Sequence, residues 1–203
     1  YELILSEIKT LYKKELIPVD QDFSYFEDFD LISDRIVFKL VNLNSNKMML
    51  KDLAYVPYLD FAVIFSYLMK SDESATASIK ISDEMACLWG VDTKILMEHA
   101  MKNTPMLLPP VCRDVSEIIH DFYGVCIPDL ASGGLNMYCL TNDRQTNGAS
   151  CIIYKGLLRD IAKRAESDLI ILPSSTDEVI IIYEKDFCFG ESTGGDFSSL
   201  NDL

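Results

Sequence analysis

Two short polar clusters hold the residue types best suited to chemistry in this chain. One is Asn142, Asp143, Arg144 and Asn147; the other is Ser174, Ser175, Asp177 and Glu178. Amides, hydroxyls, carboxylates and a guanidinium orient a small polar ligand or a peptide through hydrogen bonds. A serine hydroxyl beside a carboxylate offers a second chemistry, hydrolysis, with Ser174 or Ser175 as nucleophile and Asp177 or Glu178 nearby. The same residue types also do plain backbone work, because Ser, Asn and Asp bond to neighbouring N–H groups in turns. The clusters become a site only if the fold brings both to one edge of a sheet.

The elements around them follow from hydrophobic patterning. Residues 137–140 form an apolar run that predicts a strand. Residues 141–148, T-N-D-R-Q-T-N-G, predict a loop ending in an Asn147-Gly148 turn. Residues 151–154 predict the returning strand of a hairpin. Leu157, Leu158, Ile161, Ala162 and Ala165 share one face at helical spacing, behind Gly156. Residues 169–172 and 179–183 are apolar runs on either side of the second polar cluster. They predict a second hairpin, buried on both faces and central in the sheet.

Upstream, residues 3–16 predict a helix that ends before Pro18, and residues 20–34 an acidic connector whose aromatics pack onto the core. Asp20, Asp22 and Ser24 imitate a calcium loop, but Tyr25 stands at the glycine position and Leu31 at the bidentate acid. Residues 35–41 alternate as a half-buried strand. Residues 47–53 predict a short helix, and 59–69 and 75–81 the strands of another hairpin. Ser82 or Asp83 caps a helix ending at Trp89-Gly90; Asp92 or Thr93 caps one running to about Lys102, before Pro105. Trp89 is expected to anchor these helices to the sheet. Pro109-Pro110 predicts a rigid connection, and 116–123 a helix begun by Asp114 or Ser116 and stopped by Gly124. Residues 191–203 predict a polar tail. The domain reading is an N-terminal helix and connector (1–34), one α+β domain (35–185) and the tail (186–203). The fold class is α+β, with a mixed, largely antiparallel sheet built from hairpins and flanked by helices.

The chain has 203 residues, 49% hydrophobic, with 32 acidic against 18 basic side chains and a net charge of −14. Such a balance repels phosphate backbones and anionic lipid, so neither nucleic acid nor membrane is expected as a partner, and a cytoplasmic location is expected. The six cysteines include no C-x-x-C pair, which predicts free thiols, with Cys87, Cys139, Cys151 and Cys188 buried. Phosphate-binding glycine loops, H-E-x-x-H and G-x-S-x-G are absent from the sequence. His99 and His120 are its two histidines. No cofactor and no metal are therefore expected. A helix-turn-helix reading of the two helices near Trp89 fails on charge, since the second offers only Lys94 and Lys102, offset by Glu98.

The segments D-R-I-V-F-K-L-V-N (34–42), L-D-F-A-V-I-F (59–65), N-T-P-M-L-L-P (103–109), L-T-N-D-R-Q-T-N-G-A (140–149) and L-I-I-L-P-S-S-T-D-E-V-I (169–180) together resemble a bacterial family of unknown function from anaerobic gut bacteria. The resemblance implies a bacterial, intracellular protein and supplies no activity. The functional expectation is a non-catalytic domain that binds a protein or a small polar ligand through the two clusters. The alternatives are the hydrolase above and a toxin, immunity or phage-defence component.

Overall fold

The structure is a computed structural model and describes residues 24–71, 76–124 and 136–186. The expected helix over 3–16, residues 20–23 of the connector with Asp20 and Asp22, residues 72–75 at the turn between the strands expected at 59–69 and 75–81, the tail over 191–203, Cys126 and Cys188 lie outside the described residues. The fold class is α+β. The strands form two four-stranded sheets rather than one, and every described pairing is antiparallel.

The first sheet is built on β3 (Phe61–Ser71), the long apolar run. It pairs with β1 (Ile36–Asn42) on one side and with β2 (Tyr55–Tyr58) and β4 (Thr76–Lys80) on the other. Phe38, Leu40, Val63 and Phe65 point from its inner face into the main core, and burying each contributes roughly 1.5–3 kcal/mol. Ala62 and Ile64 point outward and meet Leu50, from a single 3-10 turn (Met49–Asp52) where a short helix was expected.

As an edge strand, β1 must find acceptors for its outward N–H groups. It takes them from side chains: Phe38 N–H donates to Thr104 Oγ1 and Leu40 N–H to Ser150 Oγ, each at 3.0 Å. Thr104 lies on α3 (Thr93–Leu107), capped by Asp92, whose carboxylate accepts from Ile95 N–H. Asn103 beside it donates to Ser33 O and Ile36 O. These ties explain why α3 continues past its expected end at Lys102 and through Pro105. The proline gives up one helical bond, but the last turn is fixed to β1 from outside.

From residue 24 on, the aromatic connector is short helical turns: α1 (Phe29–Ile32) lies between 3-10 turns at Ser24–Glu27 and Ser33–Arg35. Tyr25, Phe26 and Phe29 pack on the core as expected. Trp89, at the end of α2 (Asp83–Leu88), holds this connector: its indole N–H donates to Phe26 O at 2.8 Å, and its ring meets that of Phe26 edge-on. Cys87, expected to be buried, is exposed on α2.

The second sheet has the order β5-β6-β8-β7. Here β5 is Pro110–Asp114, β6 Met137–Asn142, β7 Leu169–Pro173 and β8 Val179–Tyr183. The β7–β8 hairpin is present, but β7 is an edge strand, not a central one: Leu172 is exposed, and Pro173 has no N–H to offer a further neighbour. The expected hairpin of 137–140 with 151–154 does not form. Both sides of β6 are taken, by β5 and β8, so Gly148–Ile153 coils instead into a 3-10 turn with Ala149, Ser150 and Cys151 buried. Its end is fixed by Tyr154, whose hydroxyl donates to Leu108 O at 3.0 Å and whose ring meets Phe38 edge-on. Helix α4 (Val115–Tyr123) follows β5, capped by Asp114 and ended by Gly124 in the left-handed region. Helix α5 (Leu157–Ala165) opens at Gly156.

Candidate functional site

The order β6-β8-β7 puts the loop after β6 and the β7–β8 turn at the same end of one sheet, and the two are bonded directly. Thr141 Oγ1 donates to Asp177 O at 2.6 Å, Asn147 N–H to Asp177 Oδ1 at 2.7 Å, and Ala149 N–H to Thr176 O at 3.2 Å. Gly148 sits in the seam. A Cβ there would meet Asn142 N at 2.8 Å and lie closer still to Thr141 Oγ1 and Asp177 O.

Within the loop, Asn142 is buried and its side chain holds the backbone. Its Oδ1 accepts from Arg144 N–H at 3.0 Å and Thr146 N–H at 3.4 Å, and its Nδ2 donates to Thr146 O at 2.8 Å. Gln145 and Asn147 adopt φ of 52° and 53°, a conformation that Asn tolerates and Gln enters at a cost of about 1–2 kcal/mol. In the turn, Ser174 and Ser175 both donate to Glu178 Oε1, at 3.1 and 2.8 Å, and Ser175 Oγ accepts from Asp177 N–H.

Beside this junction lies a cavity of about 560 Å³ between α4 and the outer face of the second sheet. Cross-strand register sets its floor. Val111 faces Thr141, and Arg113 and Ile180 flank Cys139, so these side chains share a face. Val115, Ile118 and Phe122, one stripe of α4, form the opposite wall. Of the eight residues expected at a site, Asn142, Asp143, Ser174 and Glu178 line this cavity. Ser174 and Ser175 also line a second, apolar depression of about 430 Å³ on the other side of the turn, with Tyr58, Leu59 and Ile152. Arg144, Asn147 and Asp177 line neither; Asn147 and Asp177 lock the loop to the turn, and Arg144 lies 3.5 Å from Asp143. The apolar floor and Arg113 were missed. The i, i+3, i+7 spacing of Val115, Ile118 and Phe122 was the readable signal for the wall.

The charges are mostly matched. Arg113 meets Asp121 at 2.5 Å, a hydrogen bond that holds the Asp121 carboxyl below its ordinary range. Burial, then the nearby Glu178 carboxylate, raise the Cys139 thiol, so it stays protonated near neutral pH. Neither His99 nor His120 lines the cavity; His99 packs edge-on against Phe29. Among the described residues no group of three or more His, Cys, Asp or Glu is placed to hold a metal, and no helix is long and apolar enough to cross a membrane.

Behind the junction, Cys151 is fully buried and donates to Thr141 O at 3.2 Å. Burial pushes its thiol up to about 11. An unfolded thiol ionises near 8.5–9, so the folded state holds the extra proton above that, and stability falls as pH rises. Urea unfolding should show about 2 kcal/mol less stability at pH 11 than at pH 8.5 from this group. Cys151→Ala should lose less over the same window; an equal loss would remove Cys151 as the cause.

The profile of one family, described as a family of unknown function (DUF5688), matches residues 1–191. No curated protein and no solved structure matches the chain.

Proposed function

The chain belongs to the family of unknown function DUF5688, and on that premise we propose that it is a non-catalytic binding domain for a small molecule with an apolar body and a polar end. One observation carries this reading: the two polar tips are bonded together at the rim of a cavity whose floor is apolar. Its volume of about 560 Å³ lies in the range of small-ligand sites. Val111, Ile118, Cys139 and Ile180 suit the body of such a ligand, and Thr141, Gln145 and Glu178 offer its polar end donors and acceptors.

The contacts support retention over nucleophilic attack. One carboxylate oxygen of Glu178 accepts from both serine hydroxyls, and neither described histidine stands behind them as a base. A protein ligand is the second reading, favoured by Phe122, Tyr123 and Leu172, which are exposed on α4 and β7.

Filling the floor tests the first reading. Fragments found by ligand-observed NMR should bind Cys139→Phe at least about tenfold more weakly than wild type. Val111→Phe, on the neighbouring strand, should do the same, and circular dichroism checks that each variant folds. Unchanged binding by folded variants would overturn the assignment of this cavity.

A further inference from the structure

We propose that the polar end read by this cavity is a cation, an ammonium on an apolar body, and that Glu178 is the group that reads it. The inference rests on the binding reading above and adds the ligand's chemical class.

Charge at the rim is not fully balanced. Arg113 is matched by Asp121 at 2.5 Å and Arg144 by Asp143 at 3.5 Å. Among the charged side chains that line the cavity, Glu178 is then the one without an ion-pair partner among the described residues. Of the charged side chains that line the cavity, Arg113 is cationic and Asp143 and Glu178 are anionic, which leaves one negative charge.

Its geometry is prepared. Ser174 and Ser175 fix the carboxylate through Oε1, and no described group donates to Oε2. Glu178 and Cys139 line the same cavity, so the carboxylate stands at the rim of the floor on which a ligand would rest.

An ammonium at this position would make a charge-assisted hydrogen bond, roughly twice as strong as a neutral one. Phe122 places an aromatic ring in the same wall, a surface that also favours cations. An anion would face both Glu178 and Asp143, with the Arg113 guanidinium already engaged by Asp121. The net charge of −14 concentrates cations around the whole molecule and acts in the same direction.

Three probes sharing one chain separate the possibilities: octylamine, 1-octanol and octanoate, titrated at pH 7 and low salt by NMR. Octylamine should bind at least about tenfold more tightly than octanol, and octanoate most weakly. Glu178→Gln keeps an oxygen for both serine hydroxyls and should erase the preference for amine over alcohol without unfolding the turn. If octanoate binds as well as octylamine, or the preference survives Glu178→Gln, the cation assignment falls while the cavity remains a binding site. If none of the three binds, the cation assignment falls, and the fragment experiment on Cys139→Phe then decides whether the cavity reading falls with it.

Discussion

Gly148→Ala is expected to destabilise the protein by about 3 kcal/mol and to weaken ligand binding along with it. The added methyl has nowhere to go. It would run into Thr141 Oγ1 and Asp177 O and stand 2.8 Å from Asn142 N. Two of those three atoms are backbone, so relief requires β6 and the β7–β8 turn to move apart. Parting them would break the bonds from Thr141 Oγ1 and Asn147 N–H to Asp177. The constraint is one of space: Gly148 is not among the positive-φ glycines Gly90, Gly124 and Gly156. Urea unfolding checks it. A change within about 0.5 kcal/mol, as for an ordinary surface substitution, would mean that the two tips do not meet as described.

Asn142→Ala should cost about 3 kcal/mol. It removes three hydrogen bonds and leaves the Thr146 carbonyl and the Arg144 and Thr146 N–H groups without their partner in a part-buried loop. Asn142→Asp keeps the acceptor for both N–H groups but loses the donor to Thr146 O, so its cost should be intermediate. Asp143→Ala, on the exposed neighbouring residue, should change stability by less than about 0.5 kcal/mol. The ordering Ala, Asp, then Asp143→Ala is the signature of a structural amide; equal effects at positions 142 and 143 would refute it. Because of this role, loss of binding in an Asn142 variant says little about contact with a ligand. Glu178→Gln is the cleaner probe.

The polar turns that rim the proposed site were legible and its apolar floor was not, for a physical reason. Turn residues announce themselves locally: T-N-D-R-Q-T-N-G and P-S-S-T-D are loops by composition, and the runs flanking the second make β7 and β8 a hairpin. A cavity floor is a space between elements, and it depends on which strands are neighbours. That depended on β5, whose Pro109-Pro110 start hid a strand. Proline is tolerated there because β5 is an edge, as β2 is with Pro57. With β5 unread, residues 151–154 looked like the natural partner of β6. A four-residue apolar run does not distinguish a strand from a buried 3-10 turn. The helix caps at Ser82, Asp92, Asp114 and Gly124 were legible because capping is local. The continuation of α3 through Pro105 was not, because it depends on bonds from Asn103 and Thr104 to the connector and β1, far away in sequence.

The central claim is that the loop at 141–149 and the turn at 173–178 frame one binding cavity. Backbone amide shifts during a titration with octylamine test it most directly. The account predicts that Thr141, Gln145, Ser174 and Glu178 move together with Val111 and Cys139 and yield a single dissociation constant. Shifts confined to one of the two tips, or two different constants for them, would contradict it.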